Sequence, residues 1–149
     1  MSAAPRELEQ RAQDARSRLA DDVDLWVATS GAAGPHLVPL SHLWDGSRIL
    51  VSTARSTVTA RNLVLDGRVR LALGQTRDVV VVDGTAELVK PADLEPAAGD
   101  AFAAATGFDP RRLAQPYVYF WVRPWRIQAW REENEIGGRD VMRDGGWLA

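Results

Sequence analysis

Six segments in which apolar residues recur at every second position, each bounded by turn formers, dominate the chain: Leu25–Thr29, Pro35–Leu43, Arg48–Thr53, Arg68–Leu73, Val79–Val89 and Tyr117–Trp130. A period of two places alternate side chains on opposite faces of a strand, and tight connections join strands only in antiparallel order. Ser30-Gly31-Ala32-Ala33-Gly34 is one such connection. Trp44-Asp45-Gly46-Ser47 carries an Asp-Gly hairpin signal that should return Arg48–Thr53 against the preceding strand. Gly84, inside a long strand, marks a bulge or bend, and Pro124 a kink.

Helical spacing interrupts this pattern in three places. Leu8, Ala12, Ala15 and Leu19 line one face between Pro5 and Ala20, small enough to lie on the surface of something larger. Ser56 or Thr57 is a suitable N-cap for a helix carrying Val58, Asn62, Leu63 and Leu65, with Gly67 as its C-terminal cap. A third helix is expected over Pro91–Thr106, ended by Gly107. The segment from Arg131 to Ala149 has no periodicity and reads as an irregular tail. The expectation is one mainly β domain over residues 1–149 (helix 1–21, barrel 22–131, tail 132–149), with six or seven antiparallel strands in a small barrel or sandwich and peripheral helices.

Composition narrows the chemistry. With 18 Lys+Arg against 20 Asp+Glu, the net charge of −2 gives no electrostatic argument for nucleic acid. Cysteine is absent, which removes disulfides, thiolate catalysis and cysteine-ligated metals. Lys90 is the lone lysine, so an anion site must rest on Arg, hydroxyls or backbone N–H groups. Met1–Ala20 lacks an apolar signal core, and no apolar run is long enough to span a membrane, so the expected setting is cytoplasmic. The two histidines, His36 and His42, share a strand face but lie roughly 20 Å apart, too far to hold one metal. No Gly-x-Ser-x-Gly elbow, Walker A loop or Gly-x-Gly-x-x-Gly fingerprint occurs. No catalytic side chain is assigned.

The most informative segment is Val51-Ser52-Thr53-Ala54-Arg55-Ser56-Thr57-Val58-Thr59-Ala60-Arg61-Asn62-Leu63, which puts five hydroxyls and two guanidiniums where a strand hands over to a helix. Free N–H groups and the helix dipole favour an anion there, and Arg55 or Arg61 can grip phosphate oxygens in pairs. The same hydroxyls also suit simple helix capping.

The run Gly34-Pro35-His36-Leu37-Val38-Pro39-Leu40-Ser41, then Trp44-Asp45-Gly46, Leu50-Val51-Ser52-Thr53, Ala60-Arg61-Asn62-Leu63 and Asp66-Gly67-Arg68-Val69 resembles the pyridoxamine 5'-phosphate oxidase-like split β-barrel proteins. Within them it is most similar to the actinobacterial flavin/deazaflavin oxidoreductases, many of which use coenzyme F420. The resemblance implies an FMN-binding split barrel and a homodimer with the cofactor in a groove between subunits. It implies that Pro39, Leu40 and Ser41 run along the cofactor ring. Ser52, Thr53, Ala54, Arg55, Thr57, Val58 and Thr59 would hold the phosphate, with Arg61. Asp78 and Val79 would lie near the ring, and Trp125 and Arg126 would approach the cofactor of the partner subunit.

Two departures matter. Val58-Thr59 stands where the family commonly has an Arg-Lys pair, so one phosphate-gripping cation is missing. The C-terminal Trp130-Arg131-Glu132-Glu133-Asn134 region lacks the histidine-centred basic signature of true pyridoxamine phosphate oxidases, which argues against vitamin B6 oxidation. Four of the six tryptophans fall after Phe120, and Trp121, Trp125 and Trp130 share a strand face only if Pro124 shifts the register. The implied function is an F420-dependent oxidoreductase acting on a small planar or unsaturated substrate. FMN-dependent chemistry and a non-catalytic flavin- or haem-type binding protein are the alternatives.

Overall fold

The computed structural model describes residues 3–149. β1 (Asp24–Gly31) and β2 (Gly34–Trp44) form a hairpin whose register runs from Gly31↔Gly34 to Asp24↔Ser41. Asp45-Gly46 turns the chain into β3 (Ile49–Ala54); Gly46 takes φ 99°, and the Asp45 carboxylate accepts from the Ser47 amide at 2.8 Å. β4 (Arg68–Gln75), β5 (Asp78–Val89) and β6 (Tyr117–Trp130) complete the order β3-β2-β1-β4-β5-β6. β6 pairs in turn with β3, which closes a six-stranded antiparallel barrel.

The expected irregular tail is corrected. It carries β7 (Asp140–Arg143) and β8 (Gly146–Trp147), which extend the sheet by pairing along the free edge of β6 at Ile127 and Gln128. Asp144 and Gly145, at φ 53° and 78°, make the two-residue turn between them. These strands are too short for periodicity to reveal, although Asp144-Gly145 is itself a hairpin signal.

The barrel interior is filled by Val27, Ile49, Val51, Leu71, Val82, Phe120, Val122 and Ile127, all fully buried. α1 (Leu8–Asp21) is more than a surface helix: Ala12, Ala15 and Leu19 are fully buried in the same core. Small residues allow the helix backbone to sit close over the barrel. Beneath its last turn, His42 is 2% exposed and its Nε2–H donates to the Leu19 carbonyl at 2.9 Å, leaving Nδ1 as a buried acceptor without a partner. Burial pushes this imidazole below its usual range, so it is neutral in the folded protein.

An alternating chain of charges fastens α1. Glu135–Arg6–Asp14–Arg131–Asp78–Arg18–Asp22 are linked in sequence by ion pairs of 2.7 to 3.7 Å. Glu135 anchors it, its carboxylate taking the Arg6 guanidinium and both the Arg6 and Arg131 amides. The Arg6 hydrogen bonds hold its pKa down to about 2.

The sheet register shifts once near Gly84. Asp83 pairs with Arg126 but Gly84 pairs with Pro124, leaving Trp125 as the extra residue of a β-bulge. A Cβ on Gly84 would lie 2.7 Å from Val122 Cγ1, so only glycine fits opposite the bulge. Inward parity on β6 changes there, from Phe120 and Val122 to Ile127 and Ala129. Trp121 and Trp130 thereby come to the same outer face, which strict alternation forbids.

α3 (Pro96–Thr106) is shorter than expected; a separate 3₁₀ turn, Pro91–Asp93, precedes it. Glu95 is extended because Pro96 follows it, and this breaks the helix. Gly107, at φ 73°, ends α3 as expected. The helix covers a smaller core of Leu50, Leu94, Phe102 and Tyr119 outside the barrel, with Phe102 edge-on to Tyr119 at 5.6 Å.

Two stability measurements follow from the buried charges. Glu135→Gln should cost about 3 kcal/mol in urea unfolding at pH 7, the usual loss when one partner of a buried pair is removed. Because the folded pKa of Glu135 lies below its unfolded value of 4.5, wild type should lose that contribution as pH falls from 4.5 toward 2. His42 acts in a higher window: its folded pKa is also lowered, so stability should begin to fall below its unfolded value of 6.5, and His42→Gln should flatten that limb. An unchanged slope above pH 5 in His42→Gln would contradict this account.

Candidate functional site

β2 and β3 are paired only at His42↔Val51, Leu43↔Leu50 and Trp44↔Ile49. From there β2 stays with β1, from Ser41↔Asp24 onward, while β3 stays with β6, through Ser52↔Tyr119, Thr53↔Val118 and Ala54↔Tyr117. The barrel therefore splits at Ser41 and Ser52. α2 (Val58–Leu65) fills the opening, burying Thr59, Ala60, Asn62 and Leu63. Asn62 Nδ2 donates to Thr29 Oγ1 at 3.1 Å across the gap. Gly31 lies so close that any Cβ there would collide with the Asn62 amide.

This split sets Pro39, Leu40 and Ser41 on one lip and Ser52, Thr53 and Ala54 on the other. Pro39 and Ser41 face outward, and Ser41 Oγ donates to Asp24 Oδ1 at 2.7 Å. Leu40 instead packs against the barrel core and is only partly exposed.

The hydroxyls are largely occupied by the protein itself. Ser52 is buried and donates to the Val118 carbonyl at 2.8 Å. Thr57 is the N-cap of α2: its Oγ1 accepts from the Ala60 amide at 3.1 Å, donates to the Ala54 carbonyl and meets Thr53 Oγ1. Thr59 is 1% exposed. Capping thus accounts for Thr57, and Ser56 is not the cap. At the other end the expected glycine cap is absent: Asp66 is extended, and Gly67 is needed because a Cβ would lie 2.8 Å from the Ala86 carbonyl.

The cations are left free. Arg55 and Arg61 are exposed and form no ion pair among the described residues. They flank a groove of about 400 Å³ with walls from Ala60, Val64, Leu65, Leu88 and Val118. A second groove of about 300 Å³ shares Arg55 and continues past Lys90, Leu113 and Tyr117. Neither groove reaches Pro39, Leu40 or Ser41 within one protomer.

The remaining expected residues are dispersed. Val79 lies half-buried at the far end of β5, opposite Trp130. Asp78 is held by Arg18 and Arg131 in the ion-pair chain. Arg126 Nε donates to Asp140 Oδ1 at 3.2 Å, so its guanidinium is already engaged. Trp125 stands 46% exposed on the bulge beside Arg70 and the buried Asp83, which pair at 2.6 Å. Sequence reading missed the apolar walls Val64, Leu65 and Leu88. Leu65, 86% exposed, reads in the sequence only as part of the helix with Leu63; two residues apart, the two lie on opposite faces of α2, a signal in the helical spacing that could have set it apart.

A closed antiparallel barrel, split beside a capped helix, is the split β-barrel architecture. Residues 13–131 match the family profile of pyridoxamine 5'-phosphate oxidase, and the chain belongs to that family. No curated protein matches it. Among solved structures, one described as an F420 reductase is 19% identical with TM-score 0.60, covering 75% of this chain and 94% of that one. A conserved hypothetical protein of Mycobacterium tuberculosis is 21% identical with TM-score 0.65, covering 82% and 85%. An FAD-binding protein of Mesorhizobium loti is 20% identical with TM-score 0.63, covering 78% and 89%. At these identities the likeness establishes the fold. No helix is long and apolar enough to cross a membrane among the described residues, and no cluster of metal-ligating side chains occurs among them.

The capping role of Thr57 is directly testable. Thr57→Ala should lower stability by about 1 kcal/mol in urea unfolding. If the hydroxyl were an anion ligand without a capping role, stability would be unchanged.

Proposed function

We propose that the chain is an F420-dependent oxidoreductase, working as a homodimer, that reduces a small planar or unsaturated substrate. The observation that carries this reading is the pair of unpartnered guanidiniums, Arg55 and Arg61, at the N-terminal turns of α2 beside the split. They suit an anionic phosphate, and the helix N-terminus adds its partial positive charge. With Ser52 and Thr57 hydrogen-bonded within the protein, the cradle relies on these two cations more than on those hydroxyls. Such a cradle fits a cofactor whose affinity comes from several anionic groups. Lys90, further along the second groove, offers another cation to such a molecule.

A dimer is supported by the outer face of the barrel. Trp26 and Leu37 are 49% and 59% exposed there, and Pro39 pairs with Trp26 in register. Apolar side chains left in water on a sheet face favour a partner. A second subunit could complete the ring wall at Pro39 and Ser41, which no groove of the single protomer includes.

In this reading the bound deazaflavin supplies hydride transfer. The chain's own residues bind and orient: Arg55 and Arg61 hold the anionic end, the apolar groove walls exclude water, and the Pro39–Ser41 backbone flanks the ring. Because Val51–Leu63 holds no carboxylate, histidine, lysine or tyrosine to move a proton, a carrier that binds a flavin without turnover is supported by the same site. Stopped-flow reoxidation of the reduced cofactor separates the two, since a carrier gives no acceptor-dependent rate.

Fluorescence titration tests the cofactor. F420 should bind more tightly than FMN, and Arg61→Ala or Arg55→Ala should weaken F420 by about tenfold, the loss of one charge-assisted hydrogen-bonded contact. Binding of neither cofactor, or no effect of either substitution, would overturn the proposal.

A further inference from the structure

The structure holds a second cavity, of about 480 Å³, away from the split, between the β2–β3 hairpin, the start of α3 and Trp121. Trp121 pairs with Leu50 on β3 while the turn from β3 into α2 begins at Ala54, four residues along the strand, so the two places are roughly 13 Å apart. We propose that this cavity binds a small organic cation with an apolar body.

Three observations carry the assignment. The indole face of Trp121 already holds a guanidinium: Arg48 Cζ lies 3.8 Å from the ring centroid, tethered to Asp45 through Nε at 3.2 Å. An aromatic face that attracts one cation attracts another of the same shape, so Arg48 acts as an internal occupant. The rim carries Asp93 and Glu95, exposed and without an ion pair or side-chain hydrogen bond among the described residues. The floor is apolar, formed by Leu43, Val89 and Leu94, and α3 presents only alanines toward it, which leaves the volume open. With Asp45 neutralised by Arg48, the two free carboxylates leave the cavity negative. A cation seated there would take the Trp121 face from Arg48, lay its apolar body on the floor and pair with Asp93 or Glu95.

Phenethylguanidinium is a suitable probe, with neutral phenethylurea as the control of the same shape, followed by tryptophan fluorescence and calorimetry. The guanidinium should bind and the urea should not. Arg48→Ala should tighten the guanidinium about fivefold by removing the internal competitor, and Asp93→Asn with Glu95→Gln should weaken it about tenfold. Equal binding of phenethylurea, no binding of the guanidinium, or a weakening in Arg48→Ala would each overturn the assignment. A basic peptide that binds while the free guanidinium does not would also overturn it, marking a protein contact instead. All these substitutions should leave F420 and FMN titrations unchanged, so the outcome is independent of the reading of the split site.

Discussion

The fold depends on β6 serving two neighbours at once. Along one edge it pairs with β5 from Val79↔Trp130 to Val89↔Tyr119, and along the other with β3 from Ile49↔Val122 to Ala54↔Tyr117. This shared strand closes the barrel. It also draws β3 away from β2 beyond Val51, because a strand committed to β6 through Ala54 diverges from one committed to β1. The split is thus a consequence of closure, and α2 enters it because the chain must leave β3 at that point. The free guanidiniums of Arg55 and Arg61 owe their position to the same geometry.

A second constraint ties the chain's beginning to its end. Helix α1 supplies only alanines and one leucine to the core at full burial, a modest hydrophobic contribution. Its attachment is completed by polar contacts: the ion-pair chain from Glu135 to Asp22, and Arg11 Nη1 donating to the Gly138 carbonyl at 3.0 Å. These contacts meet the segment after β6, so the last residues secure the helix that covers the barrel. Val141 and Met142 add buried apolar surface from the same segment.

Much of this was legible. Period-two runs and glycine-marked turns located all six barrel strands, since those signals report local backbone preference and burial of one face. Gly84 marked the bulge because a close backbone approach leaves a glycine in the sequence. The less legible parts depend on tertiary partners. Asp140–Arg143 and Gly146–Trp147 are strands because β6 offers an open edge, which a four-residue pattern cannot announce. The hydroxyls of Ser52, Thr53 and Thr57 read as ligands for an anion, but the carbonyls of Val118 and Ala54 claim two of them. Gly67 read as a helix cap, whereas its role is contact with Ala86 on a distant strand.

The bulge at Trp125 works as a phase shifter for the sheet. Upstream of it, β6 sends its even-numbered side chains inward; downstream, its odd-numbered ones. Without the bulge, strict alternation through Trp125 would turn Ile127 and Ala129 to water and Arg126 and Gln128 into the barrel. A single position therefore keeps the two halves of the longest strand in step with one interior, and it leaves its own indole projecting from the wall as the visible mark of the correction.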